Sequence, residues 1–198
     1  MRFIAGPLNK QLLQNLLAEV IEPCTRVRAA VAYANRDNLQ LFETCAKHLK
    51  PLEFFGRYDY TVAVDPPVLK WFLDKASPNF DCKLVPDILH AKVIWWVDAG
   101  AYIGSANLSD RAWISNIEAG TFLSHDELVE TGMERELLHF FEEVDDRGAF
   151  GLLFGSPPEP FDDEKCSVRH RGSLPASVYQ ESATTYNKGY SGSLRDID

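Results

Sequence analysis

The stretch from Leu89 to Glu118, LHAKVIWWVDAGAYIGSANLSDRAWISNIE, constrains this chain more than any other. His90 and Lys92 stand at alternate positions at the head of an apolar run. Side chains at i and i+2 of a strand share a face, so the imidazole and the ammonium are expected to project together. Val93, Ile94, Trp95, Trp96 and Val97 continue the strand, and Asp98-Ala99-Gly100 predicts a turn. A hairpin there lays Ala101 to Gly104 alongside and returns Ser105 and Asn107 to the level of His90 and Lys92. One small space then holds a nucleophile or base, a cation and two neutral hydrogen-bonding groups. Binding and attacking a phosphate calls for that combination.

These residues resemble the H-x-K-x4-D-x6-G-S-x-N motif of the phospholipase D superfamily. His90, Lys92, Gly104, Ser105 and Asn107 match it at the family's overall spacing. The aspartate departs: it is displaced by one position to Asp98, with Val97 in its place. A one-residue shift on a strand turns a side chain to the other face, so that role is not carried onto Asp98. The resemblance assigns catalysis to His90, Lys92 and Asn107, with Ser105 beside them. From the nuclease branch it adds Glu118 as the group that hydrogen-bonds the histidine and fixes its tautomer. It also implies an α-β-α sandwich, and a homodimer around one composite site, because single-motif relatives pair two identical chains. In such a site His90 forms a phosphohistidine while His90 of the partner subunit protonates the leaving oxygen. No metal and no cofactor is implied.

The expected activity is that of a cytoplasmic, metal-independent phosphodiesterase, a nuclease acting on DNA or RNA. Two rival functions stand beside it: phospholipase or phosphatidyl-transfer chemistry, and a catalytically silent dimeric nucleic-acid-binding module. Arg57, following Gly56 at the end of a predicted strand, is a further candidate for holding phosphate, as is the backbone at Gly104. Trp95 and Trp96 alternate across their strand and are expected in the core, and Ser109 is expected to cap a turn.

Charge bears on the partner. A formal net charge of -9 argues against nucleic acid, since duplex binding relies on Lys and Arg at phosphates. The acids are unevenly placed, however: nine lie between Asp126 and Asp146, against Arg135 alone. The rest of residues 1–150 comes to +1. No apolar run approaches the ~20 residues of a membrane span, and the N-terminus lacks the form of a secretory signal. The four cysteines, Cys24, Cys45, Cys82 and Cys166, are widely separated and read as reduced small hydrophobes.

Around the motif, strands are expected at Thr25–Ala34, Leu52–Tyr58, Cys82–Val85 and Ile117–Leu123. Helices are expected over Asn9–Ile21, capped by Asn9, from the turn at residues 35–38 to Leu49 (Leu39, Phe42 and Ala46 inward), after Asp65-Pro66 (Val68, Leu69, Phe72 and Leu73 inward), and over Glu127–Asp145. The last has a weak point at Gly132 and an apolar face of Leu137, Leu138, Phe140, Phe141 and Val144. Strands alternating with helices before a hairpin predict a mixed sheet with helices on both faces. Residues 1–150 are expected to form the catalytic domain and 151–198 a Ser/Pro/Gly-rich tail, whose Tyr179, Tyr186 and Tyr190 read as anchors to the domain.

Overall fold

Strand β2 (Val27–Val31, VRAAV) carries alanines at its centre and is buried along most of its length. Its small side chains let layers close on both faces. In the computed structural model, which describes residues 1–5, 12–75, 77–86, 88–148 and 150–151, β2 lies inside an eight-stranded mixed sheet ordered β1-β7-β6-β5-β2-β3-β4-β8. The other strands are β1 (Arg2–Ala5), β3 (Leu52–Tyr58), β4 (Phe80–Pro86), β5 (Lys92–Trp96), β6 (Gly100–Gly104), β7 (Ala119–Ser124) and β8 (Phe150–Gly151). Strands β2, β3 and β4 run parallel. They are joined by helices α2 (Gln40–Lys47) and α3 (Pro66–Lys75), as parallel pairing requires a crossover. Strand β5 is antiparallel to β2 and opens the expected hairpin with β6, followed by β7. Helices α1 (Leu12–Val20), α4 (His125–Thr131) and α5 (Met133–Arg147), with a short 3-10 turn at Arg36–Asn38 and a π-helical turn at Arg111–Ser115, are the remaining elements among the described residues. The short edge strands β1 and β8 carry too few residues for periodicity to reveal them.

Alternation along the central strands builds two cores. On one face Phe54 meets Phe42 of α2 edge-on, with ring centroids 5.2 Å apart, and stacks on Phe72 of α3 at 5.8 Å. On the other, Phe141 of α5 packs against Phe55 at 5.9 Å and Trp95 at 6.1 Å, with the Arg28 guanidinium 4.7 Å over its ring. Trp96 lies toward Phe122, so both tryptophans of the motif strand are core residues.

The helix faces differ in detail from the expected ones. In α2 the buried residues are Leu41, Phe42 and Cys45. In α3 Trp71 takes the inward place assigned to Leu73, because its indole donates to Glu43 Oε1 at 2.5 Å while packing among Phe42 and Phe72. Leu73 and Leu138 are turned outward. Gly132, at φ +74°, interrupts the long helix and separates α4 from α5; only glycine enters that region freely. Ser124 and Glu127 form a reciprocal capping box at the start of α4. Cys24, Cys45 and Cys82 are free thiols in the interior, and burial pushes the Cys45 thiol up to about 12. Among the described residues no helix is long and apolar enough to cross a membrane. Asn9, Cys166 and the tail tyrosines lie outside the described residues.

Replacing Phe141 with Ala removes a ring from between Phe55 and Trp95. A loss of about 3–5 kcal/mol is expected, read as a lower urea midpoint with an unchanged slope.

Candidate active site

The site lies at one end of the sheet, where the segment continuing β2 acts as its floor. The Ala32 N–H donates to the carbonyl of Ala91, and the Ala32 carbonyl accepts from the Arg57 N–H. Two residues further on, Ala34 donates to the Ala63 carbonyl and accepts from Asp65. Leu108 donates to the Tyr33 carbonyl and accepts from Asn35. One extended segment therefore has the His90 and Asn107 segments on one side and the Arg57 strand with its following turn on the other. Strands lie about 4.8 Å apart, which puts the backbones of Ala91 and Arg57 about 10 Å from each other across Ala32.

His90 is exposed at the head of β5, and Lys92 is buried. The Lys92 ammonium lies 3.0 Å from His90 Nδ1 and 3.4 Å from Nε2, and donates to the His90 carbonyl at 2.9 Å. The imidazole and ammonium that the alternation brings together are thus in contact. Burial pushes the Lys92 pKa down and Arg57 adds to that by charge repulsion, while Glu118 opposes both. Among the described residues no carboxylate pairs directly with this ammonium. Its attraction for an anion is left available.

The β5–β6 register pairs Val93 with Ile103, so Lys92 is level with Gly104. Gly104 is required sterically: a Cβ there would collide with the Tyr102 hydroxyl and lie 2.7 Å from the Ala119 carbonyl oxygen. Gly120, opposite on β7, is crowded by the same ring. The Tyr102 phenol runs past both glycines and its oxygen accepts the Ala106 N–H at 3.2 Å. That bond holds the middle of the Ser105-Ala106-Asn107 turn. Tyr102 and Gly120 are supporting residues that spacing alone does not reveal; the apolar surroundings of Tyr102 were its only signal.

Ser105 donates to Glu118 Oε2 at 2.5 Å and accepts the Ala119 N–H at 3.0 Å. The second carboxylate oxygen of Glu118 accepts from Asn116 Nδ2 at 3.1 Å. Glu118 therefore holds Ser105 and the start of β7, and acts on Lys92 through charge; the His90 nitrogens face Lys92. The side-chain oxygen of Asn107 is buried without a hydrogen-bond partner, as is that of Asn35 next to Leu108. Buried amides of this kind carry unfilled bonding capacity. Asp98 is at the opposite end of the hairpin, at φ +69°, where its carboxylate accepts from Thr25 Oγ1 at 2.7 Å. It belongs to the turn and not to the site. Ser109 accepts the Ala112 N–H at 3.2 Å, which is the expected capping role.

Arg57 donates through Nε to Asp59, whose side chain is fully buried. Asp59 also accepts from the Thr61 N–H at 2.8 Å and the Thr61 hydroxyl at 2.5 Å. Burial would raise the Asp59 pKa, but the Thr61 hydrogen bonds and the Arg57 guanidinium outweigh it and hold the carboxyl below the usual range.

No protein-family model and no curated protein matches the sequence. Solved structures do match in shape. NucT from Helicobacter pylori superposes at a TM-score of 0.55 with 18% identity, over 74% of this chain and 95% of that one. Nuc from Salmonella typhimurium, a phospholipase D family member, superposes at 0.53 with 17% identity, over 74% and 91%. This chain has the phospholipase D fold. Phosphatidylserine synthase from Haemophilus influenzae shares that shape at 0.52 with 17% identity, over 76% of this chain and 39% of the synthase. Within the fold, the motif residues lie at the sheet end described above.

Two outcomes test the geometry. Gly104→Ala is expected to displace Tyr102 and lower the thermal midpoint, whereas Ser105→Ala, which removes one hydroxyl, should lower it less; a differential scanning measurement ranks them. Asp59 contributes stability above its unfolded pKa of about 3.9, and this is lost as pH falls through its lower folded value. Asp59→Asn should therefore show a smaller drop in urea stability between pH 5 and pH 3 than the unsubstituted chain.

Proposed function

We propose that this chain is a metal-independent phosphodiesterase that cleaves nucleic acid through a phosphohistidine, in a composite site formed by two copies. The observation that carries the proposal is the pairing of exposed His90 with a buried cation, Lys92, that no carboxylate neutralises directly among the described residues. A second cation, Arg57, is within electrostatic reach. Phosphodiesters resist nucleophiles because their own charge repels them, so a site with fixed positive charge beside an imidazole supplies what the reaction lacks.

In the proposed cycle, the phosphate oxygens take the Lys92 ammonium and hydrogen bonds from Asn107. An unprotonated nitrogen of His90 attacks phosphorus and forms a P–N bond as the P–O bond to the leaving group breaks. The leaving oxygen takes its proton from His90 of the partner subunit. That same ring then removes a proton from water, which attacks phosphorus and releases His90. Proton and electron pair are balanced over the two steps, and each imidazole returns to its starting state. One histidine cannot occupy both sides of the phosphorus, which is why two copies are required. Glu118 contributes by fixing Ser105 and balancing the charge around Lys92.

The test compares the unsubstituted chain with His90→Ala on labelled DNA, RNA and phosphatidylcholine, all in EDTA. The chain is expected to cleave nucleic acid, with a loss on the order of 10³-fold in the variant. Equal activity of the two proteins on every substrate, or loss of cleavage on chelation, would refute the proposed chemistry. Sedimentation under active conditions should give a dimer; a monomer would remove the composite site.

A further inference from the structure

Tyr60 is 95% exposed, the highest value for a large apolar or aromatic side chain among the described residues. A single exposed aromatic is ordinary by itself. The turn beneath this one is not. Asp59, buried under it, gathers the Thr61 N–H, the Thr61 hydroxyl and Arg57 Nε on one carboxylate. Val62 closes the turn at φ +53°, a left-handed conformation that β-branched residues rarely adopt and that persists where surrounding contacts over-determine it. Ala63 then bonds back to Ala34, on the floor of the His90 site. Tyr60 is thus presented to solvent on a pinned turn, so little backbone freedom remains to be lost when something packs on its ring.

Just before this turn, within β3, stands Arg57, which acts electrostatically on Lys92. Along the chain a cation is thus followed three residues later by an exposed aromatic plate. A polynucleotide strand alternates phosphate and base in the same way. Base faces in a duplex are already covered by their neighbours, whereas an unpaired base has a face free to stack. Stacking also adds affinity to a chain whose net charge of -9 limits what phosphate contacts alone can supply.

Resting on the phosphodiesterase assignment, we infer that residues 57–62 form a platform for the substrate strand. Arg57 holds the phosphate neighbouring the scissile one, and Tyr60 stacks on an unpaired base. The favoured substrate is accordingly single-stranded nucleic acid.

The experiment uses the full chain, Tyr60→Ala and Tyr60→Phe. Substrates are a fluorescent single-stranded oligonucleotide, its duplex, and bis(p-nitrophenyl) phosphate, which has no base. The ratio of kcat/KM on the single strand to that on the small diester is expected to fall about tenfold in Tyr60→Ala. The change should lie mainly in KM, and Tyr60→Phe should restore most of it. The unsubstituted chain should prefer the single strand to the duplex. An unchanged ratio, an equal loss on both substrates, or a shift in sedimentation without a change in KM would overturn the platform; the last would make Tyr60 a subunit contact. If the unsubstituted chain hydrolyses no substrate, the phosphodiesterase assignment fails. Anisotropy of the same oligonucleotide with the three proteins then decides the platform separately, weaker binding by Tyr60→Ala supporting it and equal binding refuting it.

Discussion

Backbone hydrogen bonding along the continuation of β2 is the constraint on which the site depends. Residues 32–35 bond to the His90 and Asn107 segments on one side, and to Arg57 and the Ala63–Asp65 segment on the other. Buried peptide groups must find partners, so the backbone of this segment cannot be displaced without releasing several bonds. Four parts of the chain, far apart in sequence, are thereby brought to one sheet end. The alanines of β2 and its continuation serve the same purpose, since helices can close over both faces without large side chains pushing the layers apart.

Electrostatics then divides the molecule. Among the described residues no carboxylate bonds directly to the buried Lys92, and Arg57 lies near it with its charge partly compensated by Asp59. Most of the acids between Asp126 and Asp146 are exposed on α4 and α5, and α4 starts beside the hairpin turn, where the His125 backbone N–H donates to the Ala99 carbonyl. Net charge is therefore a poor guide to the local field at His90. The like-charge proximity of Lys92 and Arg57 costs energy that an anion between them would recover.

Much of the core was legible in sequence because it depends on local periodicity. The alternation from His90 through Trp96, the Asp98-Ala99-Gly100 turn and the break at Gly132 each follow from chemistry confined to a few residues. Errors arose where partners distant in sequence choose the inward face. Trp71 displaced Leu73 because Glu43, on another helix, accepts its indole N–H. Leu138 turned outward because Leu137, Phe141 and Val144 suffice to cover Phe55 and Trp95. Edge strands β1 and β8 were invisible because two to four residues carry no period.

For the site, sequence alone determined which groups share a strand face and which return beside them: His90, Lys92, Gly104, Ser105 and Asn107 occupy positions dictated by a two-residue period and one turn. Tertiary structure decided what those groups touch. It turned Glu118 toward Ser105 and Asn116, sent Asp98 to the far end of the hairpin beside Thr25, ran Tyr102 past Gly104 and Gly120, and brought Arg57 near Lys92. The reason is range. A strand's alternation is set by neighbouring peptide units, whereas hydrogen-bond partners and burial are set by segments that only the folded sheet places side by side.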